Sequence, residues 1–303
     1  MMDSVPNYYH KFNCIADKCK HNCCIGWEIL IDDETMSLYE ALDKPFGEKI
    51  RANVEGNPPH FKLKEGNRCP FLADNGLCDI ICEYGEDAIC DICYLHPRFK
   101  NFYENFEETG LGLACEEAAR IILSEKEKFS IGIPDFVEVT AEEKQFLAKR
   151  QEIFNVLQDR NKTVKERFTY LAESFGFKFE FSLEKLADFY LSLIRLDDEW
   201  TKELNNLKDF NFTGKIFEDD DFQIIFEQLS VYFVFRNLTG ALEGGSYTKR
   251  VRYALISCYL LGVMFEFYGE ILTEEKMIDL ARMYSAEIEY AEENINAIFD
   301  AEF

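Results

Sequence analysis

The sequence predicts a mainly α-helical protein in which a loop-rich, cysteine-cluster N-terminal part with short strands is followed by an α-helical bundle. Ten of the eleven cysteines lie between Cys14 and Cys115, and most turn-forming pairs that contain proline or glycine fall in the same stretch. Long apolar stripes with helical spacing become frequent only after it. We therefore divide the chain into a cysteine-rich metal-binding region, residues 1–125, and an α-helical region, residues 126–303.

The cysteine-rich region is expected to contain only short regular elements. Apolar spacing predicts helices over 35–42 and 46–54, whereas alternation predicts short strands over 60–64 and 98–103. The pair Asn75-Gly76 is typical of a hairpin turn.

Capping signals mark several helices of the second region. Thr140 followed by Glu143 has the form of a capping box and predicts the start of a long helix. A glycine pair precedes a helix predicted over about 249–267. Thr273 and Ser285 are candidate N-caps of two final helices.

Composition and charge narrow the class of protein. With 33 basic and 57 acidic residues the net charge is −24, so a nucleic-acid backbone would be repelled and nucleic-acid binding is not expected. The first residues lack the basic start and apolar stretch of a secretory signal, which predicts a cytoplasmic protein. The longest uncharged apolar stretch, residues 253–265, is shorter than the roughly 20 residues of a membrane span. We expect no membrane association.

The cysteines form two groups in the sequence. The first has the spacing Cys14-x4-Cys19-x3-Cys23-Cys24. The second comprises Cys69, Cys78, Cys82, Cys90, Cys93 and Cys115. Such dense thiols in a reducing compartment indicate thiolate ligation of a metal, and the spacing leaves zinc and an iron-sulfur cluster both open.

Several cysteines have simpler interpretations. Adjacent residues such as Cys23 and Cys24 point their side chains apart in an extended backbone, so both are not expected to bind one ion. Cys82 and Cys90 are the first candidates for spare thiols, although the spacing Cys90-x2-Cys93 is also typical of metal ligands. Cys258 lies in an apolar segment and is interpreted as a buried thiol.

These motifs resemble those of the flagellin lysine-N-methylase family. The residues that carry the resemblance are Cys14-x4-Cys19-x3-Cys23-Cys24-x2-Trp27, Cys69-Pro-Phe-Leu, Gly76-Leu-Cys78, Cys93 with Pro97-Arg98, and Cys115-Glu-Glu-Ala-Ala-Arg120. The resemblance implies a [4Fe-4S] cluster, S-adenosylmethionine as methyl donor and flagellin lysines as acceptors. Carried over by position, the metal ligands are Cys14, Cys19, Cys23, Cys24, Cys69, Cys78, Cys93 and Cys115.

Two motifs of methyl-transferring enzymes are missing from the sequence. The glycine-rich turn of a Rossmann-type donor site does not occur. The triplet Cys-x3-Cys-x2-Cys of radical enzymes begins at Cys19 and Cys23, but Gly26 occupies the third position. A metal-binding module, iron-sulfur or zinc, without transferase activity is therefore the main alternative, and a zinc-stabilised interaction protein is a third interpretation.

The sequence assigns no catalytic residue. A polar methyl transfer requires the neutral amine of lysine, whose reference pKa is about 10.4, so some group must accept a proton. Tyr8, Tyr9, Glu28 and Asp32 lie near the thiols in sequence, and each has a structural role as its simpler interpretation.

Overall fold

The computed structural model describes residues 3–43, 45–133 and 137–301. The chain forms two compact units. The cysteine unit consists of Asn13–Arg98 with Cys115–Glu117, and the helical unit contains the other described residues. Most of the predicted strand at 98–103 thus belongs to the helical unit, although it lies N-terminal to the predicted boundary at residue 125.

The described residues contain thirteen α-helices and five short strands. The strands are β1 (Asp3–Ser4), β2 (Val54–Glu55), β3 (His60–Phe61), β4 (Arg98–Phe102) and β5 (Glu107–Leu111). The helices are α1 (Asp33–Ala41), α2 (Phe46–Ala52), α3 (Asp79–Tyr84), α4 (Asp91–Leu95), α5 (Glu116–Ser124), α6 (Ala141–Leu157), α7 (Val164–Ser174), α8 (Leu183–Ser192), α9 (Asp198–Asn206), α10 (Gln223–Asn237), α11 (Tyr247–Tyr268), α12 (Glu274–Tyr284) and α13 (Glu292–Asp300). The predicted mainly α class is confirmed.

The cysteine unit is built from short elements, as the sequence predicts. The two predicted short helices appear as α1 and α2, and the strand predicted at residue 60 is β3, which pairs antiparallel with β2. The turn at Asn75-Gly76 joins an antiparallel bridge between Leu72 and Cys78. Gly76 has φ +82° there, a conformation that only glycine adopts without strain.

The core of the cysteine unit is small and aromatic. Phe61 and Phe71 meet edge to face with ring centroids 4.9 Å apart, and both side chains are fully buried. Ile29, Ile50 and Ile80 pack in the same cluster. This core also contains cysteines, which is why the thiols of the unit lie close to one another.

The helical unit is organised around α10 and α11. Both helices are apolar on nearly every side and are buried over most of their length, as expected for central helices. A three-stranded sheet of order β1-β5-β4 belongs to this unit, and β5 is buried throughout. Tyr247–Ile271 is long and apolar enough to cross a membrane by length and composition, and 67% of its most apolar window is buried inside the fold. That burial is typical of a core helix.

Helix caps are confirmed at two of three predicted positions. Thr140 and Glu143 form the complete capping box of α6, and Thr273 caps α12 through the backbone N–H of Lys276. The prediction that Ser285 is an N-cap is wrong. Ser285 begins a π-helical turn that continues α12, because its hydroxyl donates to the buried Glu289 carboxylate at 2.6 Å instead of capping a new helix.

The Glu143 carboxylate gives the first testable prediction. It accepts hydrogen bonds from the backbone N–H groups of Glu104 (2.7 Å) and Thr140 (2.9 Å). Burial alone would raise the pKa of this carboxyl, but these bonds outweigh it and hold the pKa below the ordinary value. The carboxylate therefore stabilises the fold above its unfolded pKa, and the contribution is lost as the pH falls through the folded pKa.

We expect Glu143→Ala to lower the free energy of unfolding at pH 7 by about 1–2 kcal/mol. The difference from wild type should shrink in acid below the usual titration range of glutamate. Urea unfolding at pH 7 and in acid measures both effects. Glu142→Ala, at an exposed position in the same turn, is the matched control. Equal losses in the two variants would contradict the assigned role.

Candidate metal centre

Five cysteines meet in the core of the cysteine unit, and we call them the central thiol group. The members are Cys24, Cys69, Cys78, Cys90 and Cys93. Cys69 and Cys90 are buried, and the other three are partly buried against the same core. The backbone N–H of Cys69 donates to the Cys24 carbonyl at 2.8 Å, which joins the two sequence groups of cysteines. Thiols separated by about 70 positions in the chain thus belong to one core cluster.

Local structure fixes the positions of these thiols. Cys78 is the N-cap residue of α3 and pairs with Leu72 across the Asn75-Gly76 turn. The Arg68 guanidinium braces that turn by donating to the carbonyls of Leu72 (3.2 Å) and Ala73 (2.7 Å). This local structure forms because the Asn75-Gly76 turn pairs backbone groups across the bridge and Arg68 donates to carbonyls that would otherwise lack a hydrogen-bond donor.

A second brace holds the N-terminus of α4, where Cys90 and Cys93 lie. Asp32 caps α1 by accepting from the Thr35 N–H at 2.8 Å, and its other oxygen accepts from the Asp91 N–H at 2.9 Å. These hydrogen bonds outweigh burial and hold the pKa of Asp32 below its ordinary value. Asp32, a candidate base by its sequence position, therefore has a structural role that fixes two helix starts.

Cys90 is placed inside the central thiol group. Its side chain is 1% exposed, and its Sγ lies 3.7 Å from the Tyr39 hydroxyl, which itself donates to the Ala88 carbonyl at 2.9 Å. The sequence makes Cys90 a candidate for a thiol that binds no metal, and its spacing from Cys93 is the one sequence feature that indicates membership of the central thiol group. Cys82, the other candidate spare, is exposed on α3.

Cys19, Cys23 and Cys115 form an outer thiol group, in which Cys19 contacts the Glu116 carboxylate. The Glu116 carboxylate accepts from the backbone N–H groups of Lys20 (2.9 Å) and His21 (3.3 Å), and from the Cys19 thiol at 3.7 Å. Cys23 and Cys115 lie within electrostatic range of Cys19. Of the eight predicted ligands, four belong to the central group and three to the outer group. Cys14 is exposed and belongs to neither.

Burial and neighbouring thiols shift the pKa values of these cysteines in opposite directions. Burial raises the pKa of Cys69 to about 11 and that of Cys19 to about 12. Neighbouring thiols form hydrogen-bonded pairs. Cys24 donates to Cys23 and lowers the pKa of Cys23 to about 7. Cys93 donates to Cys90 and lowers the pKa of Cys90. Each pair stabilises one thiolate by keeping its partner protonated.

The donor set fits a soft metal, although the ligands are not yet converged. Among the described residues no three side chains of His, Cys, Asp or Glu lie close enough to hold a metal ion. The chemistry nevertheless suits zinc or an iron-sulfur cluster, because two buried and three partly buried thiols belong to one core cluster. Binding would exchange the thiol pairs for thiolate–metal bonds and release protons, so affinity would rise with pH.

The other sequence-based candidates for a proton acceptor differ in their surroundings. Glu28 is largely exposed, and its Oε2 lies 3.4 Å from the His60 Nε2. Tyr8 is buried in the helical unit, where burial raises the pKa of its hydroxyl far above the ordinary value. Neither arrangement resembles a base positioned to accept a proton from a protein substrate.

Fold and site together define a mainly helical protein with a thiol-rich unit suited to a soft metal. A family model described as FliB lysine N-methylase C-terminal domain matches residues 108–301. The chain belongs to that family, and the predicted resemblance is confirmed.

Individual relatives are more distant. The lysine-N-methylases of Salmonella typhimurium (strain LT2) and Salmonella choleraesuis are each 25% identical over 159 residues, which is 50% of this chain and 40% of each relative. The flagellar biosynthetic protein FliU of Salmonella muenchen is 27% identical over 135 residues, 42% of this chain and 80% of that protein. The matched part of this chain thus spans less than half the length of the two methylases. No solved structure matches the chain.

Proposed function

We propose that this protein is a lysine N-methyltransferase that acts on flagellin, with S-adenosylmethionine as methyl donor and a thiolate-bound [4Fe-4S] cluster. The observation that carries the proposal is the family match over residues 108–301, next to a unit with two thiol groups. The names of the relatives support lysine as the acceptor and a flagellar protein as the substrate. The acidic chain would favour encounter with a lysine-rich surface.

The central thiol group would hold the cluster. Four thiolates are the usual complement of a [4Fe-4S] centre, and the group contains five cysteines. A bound cluster supplies one-electron redox chemistry or a Lewis-acidic iron. Cys19, Cys23 and Cys115 lie outside the central group, and in the proposal they keep the segment around Glu116 attached to the cysteine unit.

The proposed methyl transfer is a nucleophilic substitution at the methyl carbon of the donor. The neutral lysine Nζ forms a bond to that carbon while the sulfonium sulfur takes back the electron pair of its own carbon bond and leaves as a thioether. The methylated ammonium then loses a proton. Since lysine is a cation near neutral pH, a deprotonation must precede the attack, and the rate should rise with pH below the pKa of the bound amine.

A second candidate is a metal-binding module without transferase activity. Within the described residues the sheets are one of three strands, order β1-β5-β4, and one of two strands, order β2-β3. A doubly wound parallel sheet of the kind that holds a nucleotide-like donor at its switch point is therefore not present in that part of the chain. This observation favours the module and makes donor binding the point to test.

The decisive experiment combines metal analysis with a transfer assay. The chain is purified without oxygen, analysed for iron, sulfide and zinc, and incubated with flagellin and methyl-labelled S-adenosylmethionine. We expect iron and sulfide in the purified protein and new methyl-lysine in flagellin by mass spectrometry. Full metal occupancy without methyl transfer would overturn the enzyme assignment in favour of the module, and zinc without sulfide would favour a zinc-stabilised protein.

A further inference from the structure

The helical unit contains a cleft of about 280 Å³ near the C-terminal end of α10. Its wall is formed by β4, by the segment between α10 and α11, and by residues of α11 and α13. Lys100, Arg236 and Arg250 contribute to it, with Glu243 as the acidic residue of the lining. Lys100 forms an ion pair with Glu107, and Arg236 forms one with Glu289, so Arg250 is the cation of this wall that remains available to an anionic ligand group.

The Arg250 guanidinium is held in place from several sides. Its Nη1 donates to the Asn237 carbonyl at 2.6 Å, and its Cζ lies 4.8 Å from the Phe299 ring centroid. A Cβ atom at Gly240 would lie 2.2 Å from the Arg250 Nη2, and one at Gly245 would lie 3.0 Å from Nε. Only glycines leave room for the guanidinium there, so the segment and the aromatic ring together fix its orientation.

Arg250 has hydrogen-bonding capacity that the described chain does not use. Its Nε and Nη2 make no hydrogen bond to the described residues, and no carboxylate among them forms an ion pair with it. Burial lowers the pKa of this guanidinium because nearby opposite charge, from Glu243, compensates only in part. An arginine held rigid beside a cleft with donors to spare is a typical carboxylate site.

Arg236, the neighbouring arginine, differs from Arg250 in this respect. Its guanidinium lies between the rings of Phe99 and Tyr290, each 4.9 Å away. It forms an ion pair with Glu289 at 3.4 Å and donates to the Tyr232 hydroxyl at 3.1 Å. The charge of Arg236 is thus already balanced within the fold.

Glu243 completes the pattern. It is exposed at the cleft, interacts electrostatically with Arg250 and forms no ion pair with it. A fixed cation and a separate carboxylate on one wall match a ligand that carries both charges, which is the arrangement of an α-amino acid.

We propose that this cleft binds the α-amino-carboxylate end of S-adenosylmethionine. Arg250 donates to the carboxylate, Glu243 accepts from the ammonium group, and Phe299 contacts the methylene chain. Phe102, whose side chain is 66% exposed beside the cleft, offers a surface for the remainder of the donor. Sites for drug-sized ligands have volumes of roughly 300–1,000 Å³, so a cleft of this size suits one end of the donor. The inference rests on the proposed methyl donor.

The test uses the purified metal-loaded protein and calorimetric titration with three probes. S-adenosylhomocysteine carries the amino-carboxylate without a transferable methyl group, methylthioadenosine lacks the amino-carboxylate, and L-methionine lacks the nucleoside. We expect S-adenosylhomocysteine to bind, and Arg250→Gln to weaken it by about 10- to 100-fold, as for lost hydrogen bonds to a charged group. Glu243→Gln should weaken it several-fold, and methylthioadenosine binding should respond to neither change.

Matched variants separate ligand binding from folding. Lys249→Gln removes the same charge one residue earlier on α11, where the lysine pairs with Asp300 at 2.6 Å outside the cleft lining, and should leave affinity unchanged. Glu243→Gln removes no hydrogen bond that the described residues form, so we expect its melting temperature to match that of the wild type. Melting curves of each variant complete the control.

Three outcomes would overturn the cleft assignment. S-adenosylhomocysteine affinity that survives both cleft substitutions, with methyl transfer intact, would place the donor elsewhere and leave the proposed function standing. Binding of L-methionine alone, with the same dependence on Arg250 and Glu243, would make the cleft a free amino-acid site. No binding of any amino-carboxylate probe would exclude this ligand class, whether or not the protein transfers methyl groups.

Discussion

Cys69→Ser is expected to remove most of the proposed metal centre and, with it, the proposed methyl transfer. Cys69 connects the members of the central thiol group. Its backbone N–H donates a hydrogen bond to the Cys24 carbonyl, and its side chain is buried in the same core as Cys90. Loss of an outer hydrogen bond to a metal ligand already costs about 10- to 100-fold in affinity or activity, and loss of a ligand should cost at least as much. Iron and sulfide content and methyl-lysine formation are the measurements.

Matched cysteines make this prediction specific. Cys82→Ser changes an exposed thiol on α3 of the same unit and should retain both metal and activity. Cys90→Ser should behave like Cys69→Ser, since Cys90 is buried in the central group. Equal metal content in the Cys69, Cys82 and Cys90 variants would rule out the central group as the binding site. The same assay on Cys14→Ser tests the predicted ligand that lies outside both groups.

Features that a few neighbouring residues determine can be predicted from the sequence, whereas features that depend on tertiary contacts cannot. The capping box of Thr140 and Glu143 and the turn at Asn75-Gly76 are determined within a few residues, so spacing alone predicts them. Ser285 has the same residue type as a good cap, but its partner is the buried Glu289 carboxylate and the helix runs on. The role of Ser285 therefore depends on the tertiary burial of Glu289, which a short stretch of sequence does not predict.

The central thiol group and the cleft beside Arg250 differ in the same way: part of the first is visible in the local sequence, whereas the second depends on tertiary contacts. Cysteine density indicated a thiol-rich unit, yet the inclusion of Cys90 follows from its burial next to Tyr39, 51 positions away. The cleft in the helical unit left no recognisable pattern in the sequence. Arg250 is held by Gly240 and Gly245 on one side and by Phe299 on the other, and only the fold brings these residues together.

The largest effect on stability is expected at the buried pair of Arg150 and Glu108 in the helical unit. Two hydrogen bonds of 2.6 Å join the guanidinium to the carboxylate, and the Tyr103 hydroxyl contacts both groups at 3.0 Å. Neither charged side chain is more than 4% exposed. Arg150→Met would leave the buried Glu108 carboxylate without its opposite charge and with the Tyr103 hydroxyl as its remaining side-chain donor, and we expect a loss of about 3–5 kcal/mol in the free energy of unfolding.

Two further variants distinguish loss of the pair from loss of packing. Glu108→Leu combined with Arg150→Met removes both charges and should recover most of the loss, because desolvating a buried pair offsets much of its attraction. Lys149→Met removes an exposed charge that pairs with Glu152 at 3.0 Å, and should change stability by no more than about 0.5 kcal/mol. If the double variant unfolds as readily as Arg150→Met in urea at pH 7, the arginine stabilises the unit through its contacts with the surrounding rings and not through its charge.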